Sequence, residues 1–398
     1  MRIGFFIDGY EPLIGGVIVS AKALKEILES FGHEVYIITV DNSKKVKISQ
    51  SYIIRLPGIR IPLKQFSGYY FILRYKKYLS LIAELNLDII HIHTEFSMGK
   101  LGLYAHQKLK ISTVYTLHSF YDLLINKVFY KWPQFFKNFG FRQIRKLHYK
   151  FISQSNVVIL PSLKTLQHCK NKYKIKGDYH IIPTQLNLSQ FYSENYASDK
   201  ITCLRQKLNL TNMFVCLYVG RLSEEKEVDY LIRVFSFFIL DNPLSKFLII
   251  GDGPIRNKLE QQVKKLNIIE HVIFVGFIPY KELGLYYQLG NVFLSASLFE
   301  TQGLTYIEAL AASLPLVARY DAVLENVLLH GKNGFFFTSP KELINILTDL
   351  YHHPIKCQTL SQQAKLSILK YNSEDFAKKV LDVYRKAIKK SSTKFLIS

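Results

Sequence analysis

The chain has 398 residues, 48% hydrophobic and 21% charged, with a formal net charge of +21. This composition excludes disorder, holds no uncharged apolar run near the roughly 20 residues of a membrane span, and predicts two domains of about 180–200 residues. Residues 1–195 carry 27 Lys and Arg against 12 Asp and Glu, and the remainder 25 against 19, so the N-terminal half implies a polyanionic partner, nucleic acid or an anionic membrane surface.

Arg2–Ile7, followed at once by Asp8 with no small-residue cleavage site, reads as a first strand and not a signal peptide. A helix is predicted from Gly16 to Phe31, ending at Gly32. Between them Pro12-Leu-Ile-Gly-Gly-Val17 sets glycines where a phosphate or sugar can approach a helix N-terminus. The segment is not GxGxxG, which disfavours a dehydrogenase. Strands follow at Glu34–Val40, Tyr52–Leu56, Ile89–His93, Ser112–Leu117 and Val157–Pro161, joined through helices or loops as in a parallel sheet wound on both faces. His91 and His93 share one side of their strand, as a metal pair or, with no third ligand evident, as packed histidines. His118 closes the next strand. The segment Asp178–Phe191, after the charged run Lys170–Lys176, is read as the crossover into the second domain.

The second half repeats the alternation, with strands at Phe214–Gly220, Phe247–Ile250, Val272–Gly276, Val292–Ala296 and Pro315–Ala318. Helices are predicted over Val228–Leu240, over Ile255–Leu266 and after Gly303. Gly331–Gly334 reads as a turn, and amphipathic helices run from Pro340 to the end. Two successive doubly wound domains place a ligand at the carboxyl ends of their strands, in a cleft between them. The four cysteines (Cys169, Cys203, Cys216, Cys357) lack metal-ligand spacing and fit reduced thiols.

Four segments carry chemistry. In Phe299-Glu-Thr-Gln-Gly-Leu-Thr-Tyr-Ile-Glu308, Glu300 and Glu308 flank Gly303, which opens a helix whose amides can meet an anion. The plain alternative is an acid favouring the helix dipole and a solvated acid on its face. Tyr218-Val-Gly-Arg-Leu-Ser-Glu-Glu-Lys226 puts Arg221 and Lys226 after a strand, where two cations can hold a diphosphate or join a solvated cluster with Glu224 and Glu225. Ile250-Gly-Asp-Gly-Pro254 is a tight strand-to-helix turn, weak evidence alone. The fourth is the Gly15-Gly16 loop.

The order Gly15-Gly16, His118, Arg221, Lys226, Gly251-Asp-Gly-Pro254 and Glu300…Glu308 resembles the GT-B retaining glycosyltransferases of family 4, with their E-x7-E motif, over nearly the whole chain. His91-Ile-His-Thr-Glu-Phe-Ser-Met-Gly-Lys-Leu-Gly102 and Glu300–Pro315 look like the branch acting on 1,2-diacylglycerol. The resemblance implies an α/β, GT-B fold of two doubly wound Rossmann-like domains facing an interdomain cleft. The expected divisions are an acceptor and membrane domain (1–190), a donor domain (191–375) and a C-terminal helix (376–398) packing back on the first domain.

The implied activity is transfer of glucose from UDP-glucose to the 3-hydroxyl of 1,2-diacylglycerol. The alternative is a second sugar added to a glycolipid, or another lipid or polysaccharide acceptor. By the same resemblance Glu300 binds hydroxyls of the moving sugar, and amides near Gly303 and Leu304 meet the distal phosphate. Glu308 takes the ribose hydroxyls, Arg221 and Lys226 neutralise the leaving UDP, His118 lies beside the sugar, and Gly16 faces the diphosphate. No prosthetic group or metal site is expected, magnesium being an aid at most. The chain departs from the family at Pro183-Thr-Gln185, at Glu227 where glycine is usual, and at Arg319-Tyr-Asp-Ala-Val-Leu-Glu-Asn326 in place of a glycine-rich loop. The first two changes leave base and sugar preference open.

Two basic-aromatic stretches, 64–79 and 127–142, suit a helix lying in the headgroup plane, and also single-stranded nucleic acid or an ordinary core. Lys64, Tyr69, Arg74, Lys76, Lys77, Lys131 and Trp132 are the expected membrane contacts. Nucleic acid leaves the ordered donor motifs unexplained and is not the expected partner. A sugar-nucleotide epimerase is a further reading that a two-domain GT-B fold allows. The expected location is the cytoplasmic face of the cell membrane, as a peripheral protein attracted by anionic lipids.

Overall fold

Residues 1–395, apart from 14, 63–67, 119–132, 185, 298–299, 370 and 372, are described by a computed structural model. The chain divides into two units, Met1–Leu186 with Asn372–Ser398, and Asn187–Tyr371.

The first unit holds β1 (Arg2–Phe6), β2 (Glu34–Asp41), β3 (Lys47–Ile48), β4 (Ile53–Pro57), β5 (Ile59–Arg60), β6 (Tyr70–Phe71), β7 (Ile89–Ile92), β8 (Ser112–Thr116), β9 (Val157–Leu160) and β10 (Tyr179–Ile181). Its main sheet runs β10-β9-β8-β7-β1-β2-β4-β3, while β5 and β6 pair separately. All ladders of the main sheet are parallel except β3 with β4. Alternate residues of β1 feed opposite cores. Ile3 and Phe5 join one, and Phe6 joins the other with Ile38, Ile90 and Tyr115. The order reverses at β1 and β7, so loops after these two strands lie side by side.

The second unit holds β11 (Phe214–Val219), β12 (Ser245–Ile250), β13 (Val272–Gly276), β14 (Val292–Ser295), β15 (Leu316–Arg319) and β16 (Gly334–Phe337). They form one parallel sheet in the order β13-β12-β11-β14-β15-β16. The reversal here falls between β11 and β14. Near-continuous apolar strands such as Phe-Val-Cys-Leu-Tyr-Val in β11 follow from helices covering both faces. Helix Val228–Asp241 supplies one such cover, burying Val228, Leu231, Ile232, Phe235 and Phe238.

Helix Ser373–Phe395 belongs to the first unit, where Phe376, Ala377, Val380, Leu381, Val383, Tyr384 and Ala387 complete the core shared with Ile3 and Phe5. Each large apolar side chain so buried contributes roughly 1.5–3 kcal/mol.

Three expectations change. The segment read as the crossover, Asp178–Phe191, contains a strand of the first sheet, because Tyr179–Ile181 pairs with β9. The glycine-rich turn ends in a strand, Gly334–Phe337, paired with β15. Residues 68–79 do not form one flat helix: Tyr70–Phe71 pairs with Ile59–Arg60, and Tyr75–Tyr78 is a single 3-10 turn. Buried Ile72 and Tyr78 anchor that segment in the core.

Candidate active site

In the second unit the reversal of strand order sets the loop after β11 beside the loop after β14. The first carries Arg221 and Lys226, the second Glu300, and Lys226 Nζ lies 2.5 Å from Glu300 Oε1. Both side chains are mostly withdrawn from solvent, at 25% and 14% exposure. Arg221 stands on the exposed side of its loop, and its carbonyl accepts from the buried Tyr218 hydroxyl at 3.0 Å. The turn Gly251-Asp-Gly-Pro254 supports this loop from β12, with the Leu222 amide donating to the Asp252 carbonyl at 3.0 Å. The backbones meet so closely that a Cβ on Gly251, at φ 130, would stand 1.9 Å from the Gly220 carbonyl oxygen.

Glu300 leads into helix Leu304–Ala311, capped by Gly303 at φ 80. Glycine accepts this left-handed conformation and offers no capping side chain, a helix opening whose first amides are able to meet an anion. Tyr306, one turn in, donates to Ser295 Oγ at 2.7 Å and fixes the helix to the end of β14.

Glu308 lies deeper, 3% exposed, and accepts from the Tyr287 hydroxyl at 2.8 Å. Burial pushes its carboxyl up to about 7, against hydrogen bonding from Tyr287 and Tyr280. Folding therefore favours the neutral acid, and this group's contribution to stability falls as pH rises from the ordinary carboxylate range through about 7. Glu308→Gln is expected to melt like the parent near pH 4.5 and to be the more stable protein at pH 8, by about 3 kcal/mol. A parent that melts above the variant at pH 8 would contradict this.

In the first unit, Asp8 and Thr94 join the loops after β1 and β7. Asp8, 4% exposed, accepts from Thr94 Oγ1 and Ser97 Oγ, both at 2.6 Å, and from the Met98 amide at 2.9 Å. Gly16 opens helix Gly16–Ser30 beyond β1. His118 follows β8 with Nε2 3.1 Å from His93 Nδ1, the two rings stacked at 5.4 Å. His93 packs on His91 at 4.0 Å, and His91 spends its nitrogens on Tyr384 (2.7 Å) and Thr116 (2.6 Å). Burial drives His118 down to about 4 and holds His91 and His93 well below the ordinary imidazole range, so all three imidazoles are neutral at physiological pH. Among the described residues no group of three His, Cys, Asp or Glu is placed to hold a metal.

The fold thus brings Lys226, Glu300, Gly303, Leu304 and Glu308 to one switch point, and places Gly16 and His118 near that of the first sheet. Sequence reasoning missed Tyr287, although Tyr280 and Tyr287 sit two turns apart on one helix face, a readable spacing. It also left the Asp8–Thr94–Ser97 network unnoticed. Of the expected membrane contacts, Arg74, Lys76 and Lys77 are exposed, while Tyr69 is half-buried over Gly9. Lys64, Lys131 and Trp132 lie outside the described residues.

Two doubly wound units, with a paired acid and base and a glycine-capped helix at the switch point of the second, define a GT-B glycosyltransferase, and the chain belongs to glycosyltransferase family 4. Residues 14–190 match that family, and residues 201–367 match the glycosyl transferases group 1. The chain is similar to the alpha-monoglucosyldiacylglycerol synthase of Acholeplasma laidlawii, 40% identical over 99% of both chains. It is also similar to the synthase of that name in Streptococcus pneumoniae, 32% identical over 98% of this chain and 86% of the other. Among solved structures, sucrose-phosphate synthase from Thermosynechococcus elongatus has the same fold, with a TM-score of 0.78 and 22% identity over 97% and 98% of the two chains. So does Anabaena HepE in complex with UDP-glucose, with a TM-score of 0.75 and 19% identity over 96% and 99%.

Proposed function

We propose that this protein transfers glucose from UDP-glucose, with retention, to the 3-hydroxyl of 1,2-diacylglycerol at the cytoplasmic face of the membrane. The Lys226–Glu300 pair beside the Gly303-capped helix carries this reading, and the full-length similarity to two alpha-monoglucosyldiacylglycerol synthases supports the acceptor. Before the donor arrives, the ammonium and carboxylate neutralise each other. The diphosphate then takes Lys226 and Arg221 together with the amides at Gly303 and Leu304, leaving Glu300 to accept sugar hydroxyls and Glu308 the ribose hydroxyls.

As the bond between sugar C1 and the phosphate oxygen breaks, negative charge grows on the UDP, where those cations stabilise it. The acceptor oxygen bonds C1 on the same face, and its proton passes to the departing phosphate. His118, neutral, is assigned to sugar hydrogen bonding, and Gly16 to the diphosphate. Labelled UDP-glucose incubated with diacylglycerol in anionic mixed micelles should give an α-linked monoglucosyl lipid. Label released as free glucose irrespective of lipid would refute the acceptor.

Anionic lipid is the surface this reading requires. Helix Gln134–Gln154 carries Lys137, Arg142, Arg145, Lys146 and Lys150 without one acidic residue, and exposes Phe135 at 68% and Phe139 at 58%. Each cation near an anionic surface contributes about 1 kcal/mol, so three of them give about a hundredfold preference. Flotation at low salt should recover the protein with anionic vesicles and lose it as salt rises. Equal recovery with neutral vesicles would refute the electrostatic attraction.

A further inference from the structure

Two of the places where the sequence leaves the family pattern, Glu227 and the segment opening at Arg319, are far apart in the chain, and the fold brings them into contact. Arg319 Nη1 lies 2.6 Å from Glu227 Oε2, and its guanidinium stands 5.3 Å over the Tyr230 ring. Both side chains are largely shielded, at 30% and 19% exposure. Glu227 has φ 51, the left-handed conformation that glycine accepts without strain and a residue with a Cβ does not.

The preceding residue is Lys226. Two consecutive residues of the loop after β11 therefore reach two different neighbours, Lys226 to the loop after β14 and Glu227 to the end of β15. Donor binding separates the first pair, because the diphosphate competes with Glu300 for the ammonium. The second pair takes no part in that exchange.

We propose that Glu227 and Arg319 are positioning residues that hold Lys226 on the leaving diphosphate once Glu300 has released it. This rests on the donor-site reading above. The ion pair replaces the conformational freedom of a glycine with a fixed strut, so its loss acts on the rate of transfer through Lys226.

The test is steady-state transfer from UDP-glucose to diacylglycerol in anionic mixed micelles, using a double-substitution cycle. Lys226→Ala should lower kcat about a hundredfold. Arg319→Met should lower kcat about tenfold with the KM for UDP-glucose within about twofold, and Arg319→Lys should recover most of the loss. Glu227→Gly, which suits φ 51 and should melt like the parent, should reproduce the Arg319→Met loss. In the Lys226→Ala background, Arg319→Met should cost nothing further. Losses that multiply in the double variant, or an unchanged kcat in Arg319→Met beside a crippled Lys226→Ala, overturn the positioning role. Full activity in Lys226→Ala would instead defeat the donor-site reading, and the pair's role with it.

Discussion

Glu300→Ala is expected to lower glucosyl transfer about a thousandfold while the protein melts close to the parent temperature. A single group aimed at charge or hydroxyls that matter in the transition state is worth a hundred- to a thousandfold. On the proposed reading the substitution removes the acceptor for the sugar hydroxyls, while Lys226, which the donor frees from Glu300 in any case, stays in place. Little stability depends on it, because an ion pair with some access to water contributes about 0–1 kcal/mol. The measurement is labelled transfer to diacylglycerol alongside a circular-dichroism melt. Full activity in a folded variant would end the assignment of Glu300 to the sugar.

Gly251→Ala should act in the opposite sense, on folding first and activity second. Its Cβ would meet the Gly220 carbonyl oxygen at 1.9 Å, at a φ of 130 that L-residues avoid. Neither backbone can yield without parting β11 from β12, which are paired in register through Val219 and Ile250. The expected cost is about 3–5 kcal/mol, visible as a lower first transition in a thermal melt. Because the displaced strand end leads directly to Arg221 and Lys226, transfer should fall even at temperatures where the variant remains folded. A melt and a rate both equal to the parent's would show that the two loops are less tightly joined than this geometry requires.

How much of this was legible in the sequence depends on whether a feature is local. Near-continuous apolar runs marked β1, β2, β11 and β12, because burial on both faces demands apolar residues throughout. Gly303 and the two glutamates could be read as a helix opening because the spacing is contained in ten residues. By contrast, the contact of Lys226 with Glu300 depends on β11 lying next to β14, although β12 and β13 come between them in the chain. The Glu227–Arg319 pair needs one strand more. Each of its members looked like an isolated departure until strand order made them neighbours.

β10 and β16 escaped for another reason. Both are short strands at a sheet edge, Tyr179–Ile181 and Gly334–Phe337, and their turn-rich flanks outweighed so brief a β signal. The aromatic residues of 68–79 misled in a similar way. Tyr70, Phe71, Ile72 and Tyr78 serve pairing and core packing, leaving Arg74, Lys76 and Lys77 on the outside.

The helix Ser373–Phe395 has a consequence for biogenesis. A ribosome makes the first unit's strands early, yet Phe376, Val380, Leu381 and Tyr384, which wall one side of that unit's interior, come out after the entire second unit. Until that helix is made, the first unit's strands have one apolar flank uncovered and His91 lacks its phenol partner. For that interval the nascent chain presents a sticky surface that holdase chaperones are built to shield.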